Sequence, residues 1–439
     1  MIALLRKITC ASACVLAMGA MMPLTASAVP AEAKIARAAD ANEGTFYVGN
    51  YYYEIISKAD RTVRFAYEYQ ADPEPAPYSG DVVVPETVKY DGVDYTVVEI
   101  GKFCFDDEAV GLKSVTLPST IRKIRTYSFW GTVIDKLELP AGLEEIEANA
   151  FCNANIEAIN IPGTCKTIGE ETFQDCKAME TATLGEGIEI IPKGLFSGCV
   201  ALESLTLPTT VKSIGEYAFY ECQALPEITI HDGVQTIDKY ALARCIAINN
   251  VVIPNSVTEL GDGVFASCNV LTNATLPTGL VDLPGSTFFA CAAMPSYTVP
   301  DGIKTIGDEC FKYCMGLTEF TVSKDVETFG ENVFQYCNAI ATVTCKPQVP
   351  PTGVTFAQSI YETATLYVPA DKIEDYRAAE GWKQFLKIEA DPNGSGVDGI
   401  AADIAEAEYY TLQGVRTANP EHGIYLMRRG GKVTKVVMP

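Results

Sequence analysis

Histidine and tryptophan are nearly missing from this 439-residue chain, which has two of each. His231 lies beside Asp232-Gly233 in a turn-forming stretch, and His422 follows Pro420-Glu421. Neither has a second histidine nearby and neither adjoins a cysteine, so the sequence offers no His-based zinc site or catalytic triad. Trp130 and Trp382 fall in different parts of the repeat pattern, and no column concentrates aromatic residues, so a sugar-stacking platform is not evident. Positive charge is also scarce. Lys and Arg total 33 against 56 Asp and Glu, a net charge of −23. Such a surface repels phosphate backbones and anionic membranes, which argues against nucleic acid as a partner. After residue 28 no run approaches the roughly 18 uninterrupted apolar residues that a membrane span needs.

Residues 1–28 read as a secretory signal peptide. Arg6 and Lys7 form the basic start, Ile8 to Leu24 are mostly apolar, and Ala26-Ser27-Ala28 fits the small-residue cleavage pattern, with the cut after Ala28. Cys14 is a poor lipidation site because the apolar stretch continues past it. Loss of Arg6 and Lys7 takes the mature charge from −23 to −25. The expectation is an exported chain, secreted or at the outer cell surface, with no transmembrane span in its mature form.

What the sequence has in quantity is periodicity. Cys176, Cys199, Cys222, Cys245, Cys268, Cys291, Cys314 and Cys337 recur every 23 residues. One unit reads Leu202-Glu203-Ser204-Leu205-Thr206-Leu207-Pro208, then Val211, Ile214-Gly215, Ala218-Phe219, Cys222 and Leu225. Leu205 and Leu207 share one face of a short strand, and Pro208, lacking an N–H, ends it. Ala218, Cys222 and Leu225 follow at i, i+4, i+7, which predicts about two turns of helix. No single unit can bury its own apolar face, so the units must stack. Strand ends recur at Pro118, Pro140, Pro162, Gly185, Pro208, His231, Pro254, Pro277, Pro300, Ser323, Lys346 and Pro369, with an earlier degenerate rung at Pro85. Ten intervals at about 4.8 Å each give a sheet about 50 Å long.

The pattern L-x-L-P-x-x-[VIL]-x-x-I-G-x-x-A-F-x-x-C, carried through roughly residues 80–390, resembles the BspA-type leucine-rich repeat surface proteins of Bacteroidetes-like bacteria. The resemblance implies adhesion or attachment to a host or neighbouring-cell protein. The expected fold is an α/β solenoid of the leucine-rich repeat kind, with coils of about 23 residues and a parallel β-sheet on one face.

The chain divides as follows: signal peptide 1–28, a β-rich N-terminal cap with the degenerate rung 29–98, the solenoid 99–365, a C-terminal cap 366–390, a linker 391–399 and a small β module 400–439. In the first cap, strands are expected over 46–56, 62–69, 81–84 and 93–98, with Asp91-Gly92 as a hairpin turn. In the second cap, Leu366-Tyr367-Val368-Pro369 is the last rung. Asp371 N-caps a helix through Glu380, and Trp382 and Phe385 close the stack. The run from Leu366 to Phe385 resembles that family's terminal cap. The linker's D-x-N-x-S-G order has Ala402 where a calcium loop needs a bidentate Glu. Strands are expected at 408–412, 423–428 and 432–438, and their sequence is similar to sorting-type modules of exported proteins.

Of fifteen cysteines, Cys10 and Cys14 lie in the signal segment. Twelve of the remaining thirteen replace small apolar core residues, and only Cys152 is off-pattern, so burial as free thiols is expected. Adjacent rungs permit disulfides by distance, but parallel side chains disfavour them. No cofactor, metal ligand set or catalytic residue emerges, and the chain is read as a non-enzyme. The candidate contact face is the exposed Thr column Thr183, Thr206, Thr229, Thr275, Thr298, Thr321 and Thr344. The leading function is an exported adhesin or attachment module for an extracellular protein. The alternative is a non-catalytic carbohydrate-binding accessory protein.

Overall fold

The computed structural model describes residues 42–68, 76–106, 109, 111–134 and 136–393, with the backbone of four strands between 408 and 438. The signal segment and its cleavage position Ala28 lie outside the described residues. The described residues up to Pro392 form one compact unit and those from Asn393 a second.

The first unit is a solenoid of parallel coils. Each coil crosses two ladders, where the sequence pointed to a single sheet. The long ladder is built from the L-x-L segments. Ala158–Ile161 pairs with Thr181–Leu184, which pairs with Ser204–Thr206. After a gap come Asn250–Val252 with Asn273–Thr275, then Ser296–Thr298, Glu319–Val322, Thr342–Cys345 and Thr365–Val368. The short ladder is built from the residue pair ending on the Ile of Ile-Gly. It runs through Ile190–Ile191, Ser213–Ile214, Thr236–Ile237 and Glu259–Leu260. Glycine follows in alternate coils, as Gly215 and Gly261, with Pro192 and Asp238 in the others. The coils touch there: a Cβ on Gly261 would stand 2.3 Å from the Lys239 nitrogen.

The helix expected after Ile-Gly does not form. Ala218, Cys222 and Leu225 are buried as the spacing required, but the backbone is a run of turns. Tyr217, Phe219 and Glu221 donate their N–H groups to the Lys239, Ala241 and Ala243 carbonyls of the next coil at 3.0, 2.9 and 3.0 Å. The intervening Ala218, Tyr220 and Cys222 donate back three residues, to Gly215, Tyr217 and Phe219. A helix would direct every donor along its own axis, whereas here every second donor reaches the neighbour. The alternation places Tyr217 and Glu221 at φ 55 and 60°, in the left-handed region. The same two positions are left-handed in other coils, as Tyr240 with Arg244 and Glu309 with Tyr313.

The core is a set of columns. Phenyl rings stack from coil to coil: Phe129 on Phe151 at 4.9 Å and Phe151 on Phe173 at 5.0 Å. Phe311 on Phe334 at 6.1 Å and Phe334 on Phe356 at 4.7 Å continue the column beyond the Leu242 interruption. Each buried ring contributes about 1.5–3 kcal/mol by removal from water. The cysteine column runs alongside. All thirteen described cysteines are buried free thiols. Cys176, Cys199, Cys222 and Cys245 donate to the carbonyl oxygens of Phe151, Phe173, Phe196 and Phe219, at 3.1 to 3.3 Å.

At the N-terminal end, Thr45–Val48, Tyr51–Ser57 and Thr62–Ala66 form an antiparallel meander, and Thr62–Ala66 runs parallel to Val93–Ile100. Thr87–Tyr90 pairs back on Val93–Ile100 through Asp91 and Gly92, both at positive φ. Ile100 then pairs with Ile124, so this sheet leads into the short ladder. Charges bind the two regions. Buried Arg64 lies 3.0 Å from Glu54 and 3.2 Å from Glu99, and Arg125 lies 3.2 Å from the same Glu99.

At the other end, Leu366-Tyr367-Val368 is not the last rung. Lys387–Ala390 adds one more parallel strand, because residues 369–386 form a further crossover. Asp371 does not cap a helix to Glu380. It lies within a 3₁₀ turn, Ala370–Lys372, and makes no capping bond to the short helix Ile373–Ala378. Trp382 is fully buried and donates Nε1–H to the Pro351 carbonyl at 2.7 Å. A helix at Gln358–Thr363 had no sequence signal.

The second unit is a four-stranded antiparallel sheet: Glu408–Tyr410 lies between Arg416–Thr417 and Gly423–Arg429, and Lys432–Met438 is at the edge.

Candidate binding surface

The threonine column stands in register where the long ladder is continuous. Thr183 pairs with Thr206, and Thr298 with Thr321 and then Thr344. Thr183, Thr206, Thr229, Thr275 and Thr298 are exposed, while Thr321 and Thr344 are half-buried. The column is not uniform. Thr229 lies in a coil segment outside the ladder, and Thr275 pairs with Val252, itself 56% exposed. The long ladder therefore consists of separate sheets rather than one plane.

A concave surface lies over the short ladder. A groove of about 690 Å³ crosses five coils, from Ile168-Gly169-Glu170 to Glu259-Leu260-Gly261. Its floor is the outward side of the short ladder. Ile190, Ser213, Thr236 and Glu259 follow one another in register there. Ile190 is 63% exposed and is the apolar residue of that column. The charged lining residues are Glu170, Lys193, Asp238 and Glu259. Lys193 reaches Glu216 at 3.6 Å, and Lys239 in the next-but-one coil reaches Asp262 at 3.7 Å. The sequence reading missed this face. A signal was present: Ile190 occupies a column otherwise held by Thr167, Ser213, Thr236 and Glu259.

Aromatic side chains come together in two places that the sequence did not reveal. Tyr217 and Tyr240 occupy the first left-handed column and stack at 5.3 Å with a 5° interplanar angle. The far side of Tyr240 lies against Gly263, where a Cβ would meet its ring at 2.2 Å. Tyr313 and Tyr336 occupy the second column and stack at 4.5 Å, with Tyr336 the more exposed.

Among the described residues, no group of His, Cys, Asp or Glu is arranged to hold a metal ion. His231 lies 3.1 Å from the Leu207 carbonyl through Nε2, in the turn that replaces proline. Burial pushes the Cys165, Cys268 and Cys310 thiols up to about 12, so they are protonated and poor nucleophiles near neutrality. Burial also raises the carboxyls of Glu171 and Asp175, though nearby lysines partly offset it. Neither carboxyl belongs to the groove. No described helix is long and apolar enough to cross a membrane.

Parallel coils of about 23 residues, with a strand ladder and stacked core columns, define a leucine-rich repeat solenoid. The BspA type Leucine rich repeat region family matches in six copies, spanning residues 98–226, 189–292 and 212–341, and the chain belongs to that family. Its fold is similar to that of the pneumococcal vaccine antigen PcpA. That match has 17% identity and a TM-score of 0.53, and covers 80% of this chain and 100% of the antigen's. A leucine rich cell surface protein from Faecalibacterium prausnitzii is 22% identical, with a TM-score of 0.42, covering 72% of this chain and 97% of its own. A leucine-rich repeat protein from Bacteroides ovatus is 24% identical, with a TM-score of 0.46, covering 69% and 94%. No curated protein matches the chain.

Proposed function

We propose that this protein is an exported, surface-associated binding module that attaches to an extracellular protein of a host or neighbouring cell and catalyses no reaction. The observation that carries this reading is the repeated lateral surface. Coil after coil presents short polar and apolar side chains in register, and the groove lies across five of them. The family, whose members are typically surface-associated, supports it, as does the signal-peptide pattern read in residues 1–28. The buried cysteine thiols, held protonated near neutrality, are poor nucleophiles.

The test is saturable binding of the full chain to individual purified extracellular-matrix proteins. Thr229, Thr275 and Thr298 are replaced together by Lys, which changes the long-ladder face and spares the core. A tenfold loss, about 1.4 kcal/mol, places the contact on that face. Saturable binding to defined glycans alone, with no protein bound, favours the second reading, a carbohydrate-binding accessory protein. The Tyr313–Tyr336 stack ending on exposed Tyr336 is the observation on its side.

A further inference from the structure

We propose that the groove over the short ladder seats an extended cationic peptide segment with an apolar anchor over Ile190. This rests on the protein-binding reading above and names the class of partner. Three facts converge on it. The groove has a concave wall and an accessible apolar floor residue, Ile190, 63% exposed. Its lining carboxylates outnumber its cations: Glu170, Asp238 and Glu259 line it, Asp238 also accepting the Lys239 N–H at 2.7 Å, and the one lining cation, Lys193, is matched by Glu216 at 3.6 Å. The ladder's strands are already paired from coil to coil, so a partner cannot add as another strand. Recognition must come from side chains.

Spacing sets the pattern. Glu170 and Asp238 are three coils apart, about 14 Å at about 4.8 Å per rung, which an extended chain spans in about four residues. Basic residues at i and i+4 would meet the carboxylates, and an apolar residue at i+2, on the same side of the strand, would cover Ile190. Anionic glycans and nucleic acids are repelled by the same charges.

The probe is an end-blocked, fluorescein-labelled heptapeptide with lysine at its second and sixth positions, leucine at its fourth and serine elsewhere. Its counterpart has glutamate for both lysines. Binding to the full chain is read by fluorescence anisotropy. The lysine peptide should bind at least tenfold more tightly than the glutamate peptide, and salt should weaken it. Ile190→Lys, and Glu170→Lys combined with Asp238→Lys, should each lower binding at least tenfold, while Val349→Lys, outside the groove and the threonine column, leaves it unchanged. These are exposed positions, and circular dichroism checks that the variants fold. Equal binding of the two peptides overturns the inference, as does indifference to the groove variants. Heparin competing from within the groove, or a dimer of the chain broken by Ile190→Lys, also overturns it. A protein held through the threonine face, with no peptide in the groove, overturns this inference alone. A chain that binds no protein and no peptide takes the underlying reading down too.

Discussion

The Cys337 thiol donates to the carbonyl oxygen of Phe311, one coil earlier, at 2.8 Å. The same bond recurs along the column, with Cys268 bound to Leu242 and Cys291 to Phe265, both at 3.2 Å. The cysteine thus fills a small apolar gap and gives a second donor to a carbonyl that already accepts within its own turn, as Phe311 does from the Cys314 N–H at 3.0 Å. Alanine can only fill part of the gap. Serine can donate but is shorter.

Cys268→Ala should therefore cost about 1–2 kcal/mol, from lost packing and a lost weak hydrogen bond. Cys268→Ser should cost no more, because the Leu242 carbonyl remains as a partner. Urea unfolding midpoints of the two variants make the comparison. A serine variant clearly worse than alanine would show that the bond is not what selects the thiol.

The thiols also tie stability to alkaline pH. Burial raises Cys268 and Cys310 from the usual 9 to about 12 in the folded protein. A raised folded value means that the stabilisation is complete below about pH 9. It is lost as pH climbs toward 12, because the unfolded chain releases its protons first. Urea midpoints should be flat from neutrality to about pH 8.5 and fall steeply above about pH 9.5. Flat midpoints through that upper range would contradict the burial of the column. Thiol-reagent labelling should be slow in the native state and reach all thirteen described cysteines after unfolding without reductant.

Gly261→Ala places a Cβ 2.3 Å from the Lys239 nitrogen, a backbone atom that cannot step aside alone. The expected cost is about 1–3 kcal/mol. Gly279→Ala meets nothing within 4 Å and should change stability by less than about 0.5 kcal/mol. Thermal unfolding of both variants measures the contrast, and equal effects would mean that the coils are not in contact at the Ile-Gly step.

Truncation after Thr365 removes Trp382, Phe385, the strand Lys387–Ala390 and all but the first residue of the strand Thr365–Val368. Thr342–Cys345 then becomes a bare edge, and the shortened chain should aggregate. Light scattering and size-exclusion chromatography read the outcome. A monomeric, folded truncation would show that the stack tolerates an open end.

The sequence makes some levels of this structure plain and hides others. The 23-residue cysteine interval and the Phe129-to-Phe334 column identify the stacked units, because each buried column must repeat once per coil. The turns in place of helix are hidden. Ala218, Cys222 and Leu225 are buried under either backbone, so the apolar pattern cannot separate the two. What decides is where the Tyr217, Phe219 and Glu221 donors point, and that depends on the next coil's carbonyls. The short ladder is hidden for a related reason. Two-residue strands such as Ser213–Ile214 show no alternation long enough to read. The groove went unseen with it. Asp371 misled because a capping residue type was present without a helix long enough to need it.

The donors at Tyr217, Phe219 and Glu221 reach forward to Lys239, Ala241 and Ala243, and Tyr240, Leu242 and Arg244 reach forward in the same way to Asp262, Val264 and Ala266. Every coil consumes the socket it also supplies. Duplicating or deleting one 23-residue unit leaves both new junctions with matching halves, so the span of the surface can change by a single genetic crossover without inventing a contact. Only the ends, where Phe65 meets Phe105 and Trp382 meets Phe356, are fixed fittings. Reach is therefore a quantity that selection can adjust in whole steps, separately from what any one coil recognises.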